Sequence, residues 1–138
     1  MRTEFLFTAI YQYTEPPSLT AGLLHGVGTG RVEGPRITGD VRFSNRARHR
    51  ADDVFEPDVT GAITTDDGAV IHFETRGVSS APDDGGTRIL SLWTRFRTDD
   101  RRYQWLVDVM TYEEGAIGPD GTIRTRGHAC LPTRPDHP

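Results

Sequence analysis

Apolar and polar residues alternate with a period of two over most of this chain, and Gly, Pro and Asp-Gly steps interrupt the alternation about every ten residues. Helical periodicity is nearly absent. This pattern predicts a meandering all-β domain with strands over residues 4–13, 22–28, 30–33, 37–43, 58–65, 69–77, 88–98, 103–117 and 122–131. The longer of these are expected to bend at a glycine or a bulge.

Three turns set registers. In Thr65-Asp66-Asp67-Gly68-Ala69 a three-residue loop with Gly68 in the left-handed region sets Thr65 opposite Ala69. Ile63 then faces Ile71, Gly61 faces Phe73, and Asp58 meets Arg76 on the other face. The loop Pro119-Asp120-Gly121 sets Gly118 against Thr122, which pairs Ile117 with Ile123, Thr111 with Ala129, Val109 with Leu131 and Glu114 with Arg126. A four-residue loop over residues 99–102 is expected to pair Thr98 with Tyr103, Phe96 with Trp105, Thr94 with Val107 and Leu92 with Val109. Each hairpin sorts apolar from charged side chains.

So many strands sharing one apolar side are expected to close, because closure removes exposed edges. The predicted fold is a single closed antiparallel β-barrel of about eight or nine strands over residues 1–131, with a β-sandwich as the alternative and a frayed tail over 132–138. Such a barrel holds either packed side chains or one small ligand. Phe5, Phe7, Val41, Phe73, Phe96 and Trp105 are among the residues expected inside. Two segments fall outside the alternation as read: a basic excursion over 44–53 and a polar loop over 79–86.

Composition narrows the partners. The 138 residues suit one core. A formal charge of −4 does not suit a nucleic-acid binder. All 16 basic residues are arginine, so lysine chemistry and the phosphate-binding P-loop are excluded. A single cysteine, Cys130, excludes an intrachain disulfide and reads as a packing thiol. No window has the length of apolar sequence a membrane span needs, and the first 13 residues lack a secretory leader, so a soluble cytoplasmic protein is expected.

The inward face carries polar residues that packing alone does not require: Tyr11, Thr75, Thr94, Thr111, Glu113 and Thr125. Glu113 stands toward the end where the barrel would open. A carboxylate at an apolar mouth is expected to have a raised pKa, which suits acid or base work near neutral pH. Asp58, His72, Glu74 and Arg76 alternate on the outward face, where they read as cross-strand charges and not as a metal site. The glycines of Gly26-Val27-Gly28-Thr29-Gly30 do not lead into a helix, which rules out a dinucleotide fingerprint.

Four blocks carry a resemblance: the run from Gly30 through Val41, the run from Thr65 through Ile71, Arg76-Gly77, and Arg95-Phe96-Arg97-Thr98 before Tyr103-Gln104-Trp105-Leu106. In order and spacing they resemble a family of bacterial β-barrels catalogued as domain of unknown function 3237, over roughly residues 22–131. The resemblance implies a calycin-like closed barrel with a central cavity and supplies no settled activity. It places Glu33, Arg76, Arg95 and Trp105 at matching motif positions. Their competing roles are structural, as a bulge-side hydrogen bond, ion pairs and core packing respectively. The chain departs from the family after Val41, where a Gly-Gly-Ala-Asp-Trp-like segment is replaced by basic sequence without Trp, and in a shortened loop after Gly77.

These readings converge on a cavity for a small hydrophobic metabolite, with no cofactor, metal, nucleic acid or membrane. The first functional expectation is a cofactor-independent enzyme of the cyclase, isomerase, dehydratase or hydrolase type, of the kind used in secondary metabolism. Glu113 would act as acid or base, Tyr11 and the threonines as donors to an oxyanion, and Trp105 with Phe96 as a stacking wall. The alternative is a non-catalytic carrier using the same cavity. A third reading makes the barrel an assembly unit such as a homodimer, with Asp58, Glu74 and Arg76 on its interface.

Overall fold

A computed structural model describes residues 1–81 and 86–133. The tail expected to fray lies, from residue 134 on, outside the described residues, as do residues 82–85 of the expected 79–86 loop.

Ten strands form: β1 (Arg2–Tyr13), β2 (Ser18–Thr20), β3 (Leu23–Glu33), β4 (Thr38–His49), β5 (Phe55–Glu56), β6 (Asp58–Thr65), β7 (Val70–Ser80), β8 (Arg88–Arg97), β9 (Met110–Ile117) and β10 (Ile123–Leu131). Eight of them, β1, β3, β4, β6, β7, β8, β9 and β10, hydrogen-bond in that order, and β10 returns to β1. Every pairing is antiparallel, so the protein is a closed eight-stranded antiparallel β-barrel and not a sandwich. β2 adds to β3, and β5 spans β4 and β7 at one rim. No helix among the described residues is long and apolar enough to cross a membrane.

Two hairpins have the registers that their turns dictate. Ile63 faces Ile71, Gly61 faces Phe73 and Asp58 faces Arg76, with Gly68 at φ +92°. Ile117 faces Ile123, Thr111 faces Ala129 and Glu114 faces Arg126, with Gly121 at φ +83°. Both glycines adopt the left-handed conformation that a side chain disfavours.

The third hairpin is not a four-residue turn. Its connection runs from Thr98 to Val109 through a 3-10 turn (Arg101–Tyr103) and a one-turn helix, α1 (Gln104–Val107). Asp100 starts this segment by accepting from the Arg102 backbone N–H at 2.9 Å, and Gln104 Nε2 donates to the Thr98 carbonyl at 2.6 Å. The alternating Tyr103, Trp105 and Val107 imitate a strand, yet the side chains that bury are Tyr103 and Leu106, three apart as one helical turn requires. Leu92 therefore pairs with Glu113 rather than Val109, a slip of four residues. Because side-chain direction repeats every two residues, an even slip leaves Thr111 and Glu113 facing inward.

Other differences also have local causes. A bulge between Phe5 and Phe7 brings Leu6 and Phe7 both inside, and Phe5 packs outward against His128 with ring centroids 5.6 Å apart. The basic segment 44–53 is no excursion up to His49. It continues β4, with Asn45 and Ala47 buried and Arg46 and Arg48 exposed. The segments 22–28 and 30–33 are one strand, β3.

The core divides along the barrel axis. Leu6, Phe7, Val32, Ile37, Val41, Ile63, Ile71, Phe73 and Phe96 fill one half, which Tyr103 and Leu106 plug. Leu90, Leu92 and Ile123 form a smaller cluster in the other half, with Tyr11, Tyr13 and Ile117 against it.

Candidate functional site

The half of the barrel away from α1 holds a cavity of about 160 Å³. Its aromatic wall comes from Tyr11 and Tyr13 of β1, Phe43 of β4 and Phe55 of β5, and its aliphatic wall from Val59, Leu90, Leu92, Ile117 and Ile123. Room for the rings is made on β3. A Cβ on Gly26, Gly28 or Gly30 would lie 2.5 Å from the ring of Tyr13, Phe43 or Tyr11 respectively, closer than atoms can approach. The alternating glycines that imitate a nucleotide-binding loop are thus the seats of three cavity-wall rings.

The floor is polar. Glu113 lines the cavity and is 4% exposed. Its Oε1 accepts from Tyr11 Oη at 3.2 Å and from Thr125 Oγ1 at 2.9 Å, and its Oε2 accepts from Thr94 Oγ1 at 2.6 Å. Thr94 and Thr75 share a hydrogen bond of 2.7 Å. These five side chains come from five neighbouring staves, β7, β8, β9, β10 and β1, which join because the barrel closes between β10 and β1. Burial, and after it the charge and hydrogen bond of Glu113, push the Tyr11 phenol well above its ordinary value, so it stays a protonated donor.

Above the floor, Asn45 Nδ2 donates to Tyr13 Oη at 3.1 Å, and burial raises the Tyr13 phenol as well. At the rim, Arg88 donates from Nε to Ser79 Oγ at 3.0 Å and from Nη2 to the carbonyls of Ser79 and Asp53, each at 2.8 Å. Its guanidinium lies 4.8 Å from the centre of the Phe55 ring, and His49 stacks on the same ring at 4.3 Å. Arg88 thereby ties β5 and the turn before it across the cavity mouth.

Of the residues singled out from the sequence, Glu113, Tyr11, Thr75, Thr94 and Thr125 come together at this floor. Thr111 lies one inward step below Glu113, fully buried, and its Oγ1 has no hydrogen-bond partner among the described residues. Phe96 is in the packed half against Phe73, with ring centroids 6.5 Å apart, and does not line the cavity. Trp105 does not line it either. It sits on α1 at the plugged end, donates to the Arg102 carbonyl at 3.1 Å and carries the Arg36 guanidinium 3.6 Å above its ring. The stacking wall expected of Trp105 and Phe96 is supplied by Tyr13, Phe43 and Phe55. Glu33, Arg76 and Arg95 all face outward. Glu33 pairs with Arg31 at 3.3 Å and Arg76 with Asp58 at 3.7 Å, while Arg95 stands opposite Glu74.

Sequence reasoning missed Tyr13, Phe43, Asn45, Phe55 and Arg88 as site residues. A signal for Asn45 exists in the strict alternation of Asn45-Arg46-Ala47-Arg48, which is a strand pattern hidden by its charge.

Comparison with known structures finds the same fold elsewhere. A conserved protein of unknown function from Rhodopseudomonas palustris is 21% identical, superposes with a TM-score of 0.79, and is matched over 94% of this chain and 97% of its own. A protein of unknown function from Clostridium acetobutylicum gives 19%, 0.81, 95% and 100% for the same quantities. An enzyme from Penicillium herquei is more distant in shape, at 20% identity and a TM-score of 0.64 over 92% of this chain and 93% of its own. Among curated proteins none matches. These structures share the fold, and the sequence match is broader than the four blocks from which it was read: over residues 2–126 the chain belongs to the family described as protein of unknown function (DUF3237).

Proposed function

We propose that this barrel is an acid/base enzyme that acts, without a cofactor, on a small hydrophobic metabolite held in the cavity. The observation that carries this reading is the placement of Glu113. A carboxylate buried at the bottom of an apolar cavity and fixed by three hydroxyl donors is arranged for proton transfer. Packing alone gives no reason to set a carboxylate there, since burying a charge is costly.

The roles follow from which hydrogens are committed. Tyr11, Thr94 and Thr125 all donate to Glu113, so they hold the base in place and do not serve as donors to a substrate oxyanion. Tyr13 accepts from Asn45, and its own hydrogen has no acceptor among the described residues. Ser79 Oγ also lines the cavity and accepts from Arg88 at the rim, whereas Tyr13 is the aromatic-wall hydroxyl able to donate to a substrate oxygen on which charge develops while Glu113 takes the proton. This division supports isomerase, cyclase or dehydratase chemistry, in which a proton leaves carbon or oxygen next to a polarised group.

The test is incubation of the wild type and of Glu113→Gln with a panel of apolar metabolites, followed by mass spectrometry and NMR. Conversion by the wild type that falls about 10²- to 10⁴-fold in the variant is the expected result. Equal turnover by both would remove Glu113 from the chemistry. A ligand retained unaltered by both would make the barrel a carrier.

A further inference from the structure

The floor of the cavity specifies what a ligand must bring to it. A carboxylate offers about four lone-pair sites. Oε1 of Glu113 uses two, on Tyr11 and Thr125, and Oε2 uses one, on Thr94. With the Thr94 hydrogen on Glu113, Thr75 must be the donor in the 2.7 Å bond between the two threonines. All four hydroxyl hydrogens of the floor are therefore committed. What remains on the floor is a set of lone pairs, and on Glu113, which lines the cavity, the open one is on Oε2.

Size and walls narrow the class. A volume of about 160 Å³ is close to that of the dry cavity of about 150 Å³ that takes up benzene. Four aromatic side chains, Tyr11, Tyr13, Phe43 and Phe55, surround this space. A flat ring fits such walls by offset and edge-to-face contact.

Building on the acid/base reading of the same site, we infer that the cavity takes a ring-sized apolar compound bearing an acidic hydroxyl, a phenol or an enol, with its O–H directed at Oε2 of Glu113. A ligand that presents only an acceptor at the deep end meets lone pairs there and is rejected. One that presents a hydrocarbon displaces water from the carboxylate and leaves its open site without a partner, which is costly.

Isothermal titration calorimetry of the full chain with 4-ethylphenol and 4-ethylanisole tests this. The two probes differ by a methyl group in place of the hydroxyl hydrogen. The wild type should bind the phenol at least about tenfold more tightly, the ordinary value of a hydrogen bond to a charged acceptor. Glu113→Gln, whose amide brings N–H donors to the floor, should reduce that ratio below about threefold. Glu74→Gln, which neutralises a carboxylate on the outward face and leaves the cavity intact, should keep the preference, while Leu92→Trp should fill the cavity and remove both ligands. Anisole binding within twofold of the phenol in the wild type, a preference that survives in Glu113→Gln or disappears in Glu74→Gln, or binding unaffected by Leu92→Trp would each overturn the inference. A phenol preference without turnover of any hydroxylated compound leaves the inference standing and removes the enzyme. Glu113-dependent turnover of a compound lacking the hydroxyl does the reverse.

Discussion

The two halves of the barrel share the same staves and differ in what fills them. In the half under α1, Phe7, Phe73 and Phe96 meet in the centre, and Leu106, fully buried, closes the end. In the other half Leu90, Leu92 and Ile123 stay near the wall, and the glycines of β3 draw Tyr11, Tyr13 and Phe43 back against it. The same closed sheet thus makes a packed core where a helix supplies the plug, and a cavity where, among the described residues, a short strand, β5, and Arg88 cover the rim. Stability should reside in the first half and ligand selection in the second. Leu106→Ala ought to cost about 2–5 kcal/mol, since the plug cannot collapse onto the rigid rim of the barrel. Leu92→Ala only enlarges a space that already exists and should cost less than half as much. Urea unfolding of the two variants decides it, and equal losses would show that the halves are not energetically distinct.

Where the halves meet, Thr94 and Thr111 face each other across β8 and β9, and both are essentially inaccessible. One is fully used and the other is not. Thr94 donates to Glu113 and shares a hydrogen bond with Thr75, so Thr94→Val strands two buried polar groups and should destabilise by about 2 kcal/mol. Thr111 has a buried hydroxyl without a partner among the described residues, so Thr111→Val replaces it with a methyl of nearly the same shape and should stabilise by about 1 kcal/mol. The same substitution at two facing positions is expected to have opposite signs. A lower urea midpoint for Thr111→Val would mean that its hydroxyl is satisfied.

How far the sequence could be read depended on which interaction set each feature. The registers around Gly68 and Gly121 were legible because a short turn with one left-handed residue leaves few alternatives. The register after Thr98 was not, because Tyr103, Trp105 and Val107 fit a strand pattern while the buried pair that decides the matter is Tyr103 and Leu106. The inward direction of Glu113 survived because the slip was an even number of residues and because the register around Gly121 fixes the same parity. Its partners could be placed on the right face by parity, but that Tyr11, 102 residues away, would reach it depends on barrel closure, which no local pattern encodes. The rim was illegible for the opposite reason. Charge at Arg46, Arg48, His49 and Arg50 masked a strand whose inward residues are small or polar. Trp105 shows the limit of motif matching, since its position fits the family while its ring lies under Arg36, away from the cavity.

The smallest expected effect separates the ends by their response to acid. Asp67, at the plugged end, accepts from Thr65 Oγ1 and from Tyr103 Oη, the latter at 2.9 and 3.0 Å, and lies 3.3 Å from Arg102. The Thr65 hydrogen bond, and after it that of Tyr103, hold its carboxyl below the usual range. A group whose folded pKa is depressed stabilises the fold at pH values above its unfolded pKa, near 4, and loses that contribution as pH falls through the folded value, because the unfolded chain takes up the proton first. Asp67→Asn should therefore lower the urea midpoint at pH 7, and its difference from the wild type should shrink as pH drops below about 4. Leu92→Ala, which removes no titrating group, should keep a constant difference from the wild type over the same range. If the Asp67→Asn difference instead stays constant down to pH 3, the carboxyl is not linked to the fold, and its bonds to Thr65 and Tyr103 do not help hold the plug.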